Sequence, residues 1–294
     1  MESVLYMKKS IAIVLSVLFL LSLFFTGCTK EPINDDSSMQ DPSSITTDPY
    51  ADMPETPAED FELGVHEDYV AIRRYLGNSK AVKVPAEIEG KPVTLIGIDS
   101  FMSNEVVETV ILPDSIAEIR EKAFMNCQKL TTIRFSNNLV LIENNAFERC
   151  SKLTRVELPE SIQTVEQYAF SDCASLTEVV INGTDLSVGM AAFSGNSLLK
   201  TVVLSGVKTI GWAAFQGSSS LEAVTIPETV ETIESLAFAN CDKLANVTFL
   251  GNLPNSIGEY TFKSEVIVPT LHYKKGATGL DNPALSNYTL EEYE

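Results

Sequence analysis

Phenylalanine recurs at Phe101, Phe124, Phe147, Phe170, Phe193, Phe215, Phe238 and Phe262, so that successive position numbers differ by 23, 23, 23, 23, 22, 23 and 24. A period held this tightly constrains the fold more than any other feature, because each copy must be one structural unit stacked on the next. Alanine precedes six of the eight aromatics, at Ala123, Ala146, Ala169, Ala192, Ala214 and Ala237. Six residues after each aromatic stands an aliphatic: Val107, Leu130, Leu153, Leu176, Leu199, Leu221, Leu244 and Val268. Three residues further on, apolar residues alternate, as in Val110 and Leu112, Val156 and Leu158, or Val247 and Phe249. Period-two alternation puts each pair on one face of a short strand. A second short apolar element follows, as in Ile116 and Ile119 or Val230 and Ile233.

One such unit cannot cover its own apolar face, whereas a stack buries a continuous core and satisfies strand hydrogen bonds between neighbours. The expected fold is therefore a repeat solenoid of about eight coils of roughly 22–24 residues, mainly β with short helical or irregular turns. At about 4.8 Å between paired strands it stands roughly 40 Å tall. The phenylalanines form an interior ladder, and the alanine before each lets the backbone pass close to the next coil.

Segments such as Leu153-Thr-Arg-Val-Glu-Leu-Pro159-Glu-Ser-Ile162 and Val165-Glu-Gln-Tyr-Ala-Phe170-Ser-Asp-Cys173 resemble the BspA-type leucine-rich repeat of bacterial surface proteins. The resemblance spans about residues 61–275. Val84-Pro85, Glu89-Gly90-Lys91-Pro92 and Ile96-Gly97 resemble the family's first coil, and Val266-Ile267-Val268-Pro269 with Tyr273 its closing strand. Proline is replaced and glycine enters at Ile181-Asn-Gly183 and Leu204-Ser-Gly206, which predicts a bulge or bend there. The resemblance implies a leucine-rich-repeat binding module, with members associated with attachment to host matrix proteins or other cells.

Five segments are expected. Residues 1–27 read as an export signal: Lys8 and Lys9 precede an apolar run from Ile11 to Phe25 that is short for a bilayer span, and Glu2 is out of place, so the biological start is placed at Met1 or Met7. Phe25-Thr26-Gly27-Cys28 resembles a lipobox, which implies lipidation of Cys28 and a membrane anchor; an ordinary signal peptide or uncleaved anchor is the alternative. Residues 28–60 carry nine acidic residues against Lys30, with Pro32, Pro42, Pro49, Pro54 and Pro57, and are expected to form a disordered tether. Residues 61–92 hold a cap hairpin, Phe61 to Gly64 against Tyr69 to Tyr75, and the first coil. The repeats occupy 93–268 and a C-terminal cap and tail 269–294, with Asp281 to Glu294 expected to be loosely held.

Four cysteines, Cys127, Cys150, Cys173 and Cys241, each stand three residues after a phenylalanine, a slot filled elsewhere by Asn104, Asn196 and Ser218. No histidine lies among these coils to complete a metal site. Equivalent atoms on stacked coils lie near 4.8 Å apart, against about 3.8 Å between disulfide Cβ atoms, so a ladder of free buried thiols is expected. A disulfide between Cys127 and Cys150 or Cys150 and Cys173 is the alternative.

Chemistry leaves no motif. The two histidines, His66 and His272, fall at opposite ends of the stack, and no phosphate loop, nucleophile elbow or zinc signature is present. Neither a catalytic residue, a metal nor a cofactor is expected. A net charge of -19 with no basic run argues against nucleic acid.

Binding remains. If the strand aliphatics point inward, the outward positions run from Thr109 and Ile111 to Asn246 and Thr248, mostly small or β-branched. Their charges, Arg134, Arg155, Glu157 and Glu178, group over three neighbouring coils and form the candidate patch for an extracellular or host protein. Cross-coil ion pairing alone is the plainer account. A carbohydrate-binding or nutrient-capture lipoprotein is the second reading; sugar sites favour aromatic platforms, and these positions hold none. Trp212 lies outside the strand, either packed or exposed. The protein is expected to be exported and anchored by lipid at the bacterial cell surface.

Overall fold

The computed structural model describes residues 49–294. The expected signal segment, Cys28 and the tether as far as Asp48 lie outside the described residues.

Each coil contributes two short strands and one turn, so the solenoid has three sides. On the first side the alternating pairs form parallel ladders: Ala81–Lys83 with Thr109–Ile111 and Thr132–Arg134, Arg155–Leu158 with the first half of Glu178–Val188, and Ala223–Ile226 with Asn246–Phe249, Thr270–Lys274 and Thr289–Tyr293. The second apolar elements build the second side as one ladder, through Lys91–Ile96, Glu118–Ile119, Leu141–Ile142, Thr164–Val165, the far ends of Glu178–Val188 and Thr201–Ile210, Thr232–Ile233 and Ser256–Ile257. Register holds coil by coil, with Val156 beside Val179 and Ile210 beside Ile233. A one-residue slip would turn every core aliphatic to water, so burial itself locks the register.

The third side carries the aromatic ladder. Rings from Phe101 to Phe262 stack with centroids 4.7 to 5.6 Å apart. The Phe124 N–H donates to the Ala146 carbonyl at 2.7 Å, and the contact repeats from Phe147 to Ala169 and from Phe170 to Ala192. Each of the six alanines is fully buried, so the slot favours a small side chain. Where the slot departs from alanine its hydroxyl is satisfied: Ser100 donates to the Gly97 and Ile72 carbonyls, and Thr261 to Gly258.

This turn also contains left-handed residues two before and two after most of the phenylalanines. Lys122 and Asn126 flank Phe124 with φ of 56° and 60°, and Tyr168 and Asp172 flank Phe170 with 55° and 54°. Side chains disfavour that region sterically. The strain is offset because the rotated peptides donate to the next coil, as in Asn126 N–H to Glu148 and Tyr168 N–H to Met190. The residue types at these positions vary too widely to mark them in sequence.

Proline closes the first-side strand in the regular coils, as Pro159 does after Leu158. In two of the coils without it, those where glycine enters, the strands run on round the corner as Glu178–Val188 and Thr201–Ile210, joining two sides. The expected irregularity is found between Asn182 and Leu186, where the register shifts. Gly206, at φ 65°, permits it: a Cβ there would collide with the Gly183 carbonyl.

Both ends depart from the sequence expectation. The aromatic column extends beyond the phenylalanines, to Tyr75 stacked 5.2 Å from Phe101 and Tyr288 set edge-on 5.8 Å from Phe262, so the solenoid has about ten turns. The C-terminal stretch is not a loose tail. Thr289–Tyr293 pairs in parallel with Thr270–Lys274, Leu285 is buried, and the Tyr293 hydroxyl donates to the Phe249 carbonyl at 2.7 Å. Val268, expected inside, is 62% exposed, although the strand that closes this coil starts at Thr270 in the usual register and buries Leu271. At the other end Phe61–Val65 and Val70–Tyr75 form an antiparallel hairpin, and the second strand joins the second-side ladder beside Lys91–Ile96. The stretch ahead of Phe61 is ordered too: Thr56 exchanges hydrogen bonds with Lys83, and Ala58–Asp60 makes a 3-10 turn. Disorder through Asp60 is thereby corrected for this last part of the expected tether.

Candidate binding surfaces

The first-side strands present the sequence-predicted patch. Arg155 and Glu157 belong to Arg155–Leu158 and are exposed, with Glu178 directly beside Arg155 on the next coil. The guanidinium is bracketed: it contacts Glu157 Oε2 at 3.0 Å and pairs closely with Glu178. Glu178, more than Glu157, strengthens its hold on the proton. The strand geometry thus brings Arg155, Glu157 and Glu178 into one ion-pair cluster. Arg134, exposed at the end of Thr132–Arg134, stands one coil earlier at the position Glu157 occupies in its own coil. Half-exposed pairs of this kind contribute at most about 1 kcal/mol each.

The rest of this face is mostly as flat as the residue types suggest. Thr201, Val203, Thr225, Asn246 and Thr248 are partly exposed along it. Ile111 differs: although outward in register, it is 4% exposed.

The face continues past the last position read from sequence. His272 lies beside Thr248 on one side and Glu291 on the other, its Nε2 is 2.9 Å from Asn246 Oδ1, and its Nδ1 is 3.6 Å from Glu291 Oε2. Burial lowers the His272 pKa and outweighs the opposing pull of Glu291, which favours the neutral ring. The coil carrying Glu291 was not legible because its column residue is Tyr288, a tyrosine that falls off the phenylalanine period. His66 sits in the hairpin turn at the other end, stacked 4.3 Å from Tyr69. No group of metal-ligating side chains occurs among the described residues. Nor is any described helix long and apolar enough to cross a membrane.

The four repeat cysteines are free and buried. Each thiol donates to the carbonyl of the phenylalanine one coil earlier: Cys127 to Phe101, Cys150 to Phe124, Cys173 to Phe147 and Cys241 to Phe215, at 2.9 to 3.4 Å. Burial pushes the thiols of Cys127, Cys173 and Cys241 up to about 12, and that of Cys150 well above its ordinary value. Such thiols are packing elements without nucleophilic character at neutral pH. Asn196 fills the slot by donating to the carbonyls of both Phe170 and Phe193, whereas the buried Ser218 hydroxyl has no partner among the described residues.

The BspA type leucine-rich repeat region, in six copies, matches residues 94–218 and 187–294, two overlapping stretches that together exceed half the chain. The chain belongs to this family. No curated protein matches it in sequence. Among solved structures, the T. pallidum leucine-rich repeat protein is similar at 29% identity over 72% of this chain and 92% of its own, with a TM-score of 0.54. A leucine-rich repeat protein from Bacteroides ovatus has the same TM-score at 17% identity, covering 82% of this chain and 77% of its own. The second likeness is one of fold alone. In this BspA-type protein the repeat consensus maps onto the interior: the Phe, Ala, Leu and Cys columns are all buried. What distinguishes its surface must therefore lie in the residues outside the consensus.

Proposed function

We infer that this protein is a non-catalytic binding or adhesion module, exported and held at the bacterial cell surface by a lipid on Cys28, and that it engages an extracellular or host protein through its first-side strand face. The observation that carries the reading is the Arg155, Glu157 and Glu178 cluster. It stands with Arg134 on an otherwise flat row of threonine, valine and alanine positions held rigidly by parallel strands. A rigid, flat surface with a localised polar feature suits a broad protein partner, whose binding loses little entropy in ordering the receptor. Membership of a repeat family without catalytic machinery supports a binding role, and the family resemblance implies attachment.

The test is solid-phase binding of the full chain to purified extracellular-matrix and bacterial surface proteins, with an Arg134→Ala, Arg155→Ala double variant beside it. Binding lost at unchanged melting temperature supports the reading, and binding retained by the variant ends it. Anchoring is read separately, by lipid labelling in cells, which Cys28→Ala is expected to abolish.

A further inference from the structure

On the second side of the solenoid a column of cap residues is interrupted. In three coils the glutamate after the core aliphatic turns back toward the preceding coil: Glu143 Oε2 accepts the Glu121 N–H, Glu166 Oε2 the Asn144 N–H, and Glu234 Oε2 the Trp212 N–H, at 2.8 to 3.1 Å. In the two coils between Glu166 and Glu234 this position is Gly189 and Gly211. Coil backbones run so close here that a Cβ on either glycine would press on the carbonyl of Val165 or Val188, at 2.8 and 2.6 Å. Two consequences follow. The missing carboxylates leave a groove of about 420 Å³ that runs from Asn144 and Glu166 to Glu234. The Met190 N–H, which Gly211 cannot cap, has no hydrogen-bond acceptor among the described residues.

The groove is lined in a specific way. Thr164, Ser187 and Thr209 lie side by side along one wall, and their hydroxyls make no hydrogen bond among the described residues. Met190 forms the other wall, with the Tyr168 hydroxyl 3.7 Å from its sulfur. Trp212 follows Gly211 directly. Tyr168, Met190 and Trp212 are 36%, 38% and 39% exposed, although they sit on three successive coils. Large partly exposed apolar side chains grouped beside hydroxyls and carboxylates are the composition of a small-ligand site, and the volume lies within the range such sites occupy.

The chemistry selects the ligand class. Glu166 and Glu234 are three coils apart, on the order of 15 Å at the observed ring spacings of 5.1 to 5.3 Å, so they cannot share one cation or act together on one bond. Carboxylates at both ends repel anions. The uncapped Met190 N–H is free to donate to a ligand oxygen, an acceptor that a protonated polyamine lacks. The strands here are paired on both sides, so no free edge is offered to an extended peptide. A chain of sugar rings meets all four conditions: its hydroxyls donate to carboxylates, accept from the N–H and exchange with Ser187 and Thr209, while its C–H faces pack on Met190 and the neighbouring aromatics.

We propose that this glycine-floored groove is a binding site for a short neutral oligosaccharide. It is independent of the first-side protein face, shares no residue with it, and makes the protein a two-ligand surface module.

Trp212, the sole tryptophan, directly follows the groove residue Gly211, and its fluorescence is the readout. The full chain is titrated with neutral oligosaccharides of glucose, xylose, mannose, galactose and N-acetylglucosamine, with spermidine and an arginine-rich peptide as controls. A saturable change with at least one oligosaccharide is expected. Ser187→Leu, which fills the groove at an exposed position, is expected to weaken it at least about tenfold at unchanged melting temperature. Thr209→Val, nearly isosteric, is expected to weaken it severalfold, and the Arg134→Ala, Arg155→Ala variant to leave it unchanged. Silence across the sugars, a response confined to spermidine or the peptide, or undiminished binding in both groove variants overturns the proposal.

Discussion

Phe147 and Phe170, on adjacent coils, stack with their ring centroids 4.8 Å apart and their planes 2° from parallel. That pair sits mid-column, where both rings are fully buried and every neighbour is another coil. Replacing Phe147 by alanine opens a cavity that the coils on either side cannot close without losing register. The expected loss is about 3–5 kcal/mol of unfolding free energy, read from the shift in denaturant midpoint. Val268→Ala is the control: the repeat spacing places it with Leu130 and Leu153, yet it is exposed, and its change is expected to stay within about 0.5 kcal/mol.

The thiol column predicts a pH dependence with a definite sign. Burial raises Cys127, Cys173 and Cys241 from 9.0 to about 12, so the folded state holds its protons where the unfolded chain releases them. This contribution is fully present below pH 9 and is lost as the pH rises from 9 toward 12. Burial of Tyr75 and Tyr288 acts in the same direction. The denaturation midpoint is expected to fall steadily over that window. At pH 8 the four repeat cysteines are expected to resist maleimide in the native state and to react on unfolding, as mapped by peptide mass.

Ser218 occupies the slot in which four other coils place cysteine, and its buried hydroxyl has no partner among the described residues. In Ser218→Cys the thiol is positioned to donate to the Phe193 carbonyl, as Cys241 does to Phe215. Relief of an unsatisfied polar group is worth on the order of 1 kcal/mol, so the variant is expected to melt higher than the parent. A lower melting temperature would count against the slot being defined by backbone satisfaction.

Gly206 is held at φ 65° with the Gly183 carbonyl where a Cβ would stand. Gly206→Ala combines left-handed strain with a collision against backbone, and about 2–3 kcal/mol of destabilisation is expected in a thermal or denaturant scan. Ala substitution at Gly276, also left-handed but with open space around it, is expected to cost less.

Much of the interior was legible in sequence because a repeated unit announces itself locally. Phe124 and Phe147 are one period apart and serve the same position in successive coils, so spacing alone assigns both to the core. The Cys150 slot could be read the same way. The ends broke the rule: Tyr75 and Tyr288 complete the column off the period and with a hydroxyl attached, and Tyr293 ties its strand down through a hydrogen bond to Phe249 that spacing does not show.

The candidate surfaces divide along the same line. Arg155, Glu157 and Glu178 were found together because strand alternation relates positions within a coil and the period relates them between coils. The groove was not found. Its lining comes from the five coils that carry Asn144, Glu166, Gly189, Gly211 and Glu234, two of which matter for a side chain they lack.

By itself the sequence determined the repeating unit, its inward and outward faces and its family, because the pattern of apolar burial is written into every period. Only the tertiary structure decided where the stack ends, which backbone groups go unpaired and which surface residues meet. Those depend on distances between coils, and no single coil contains them.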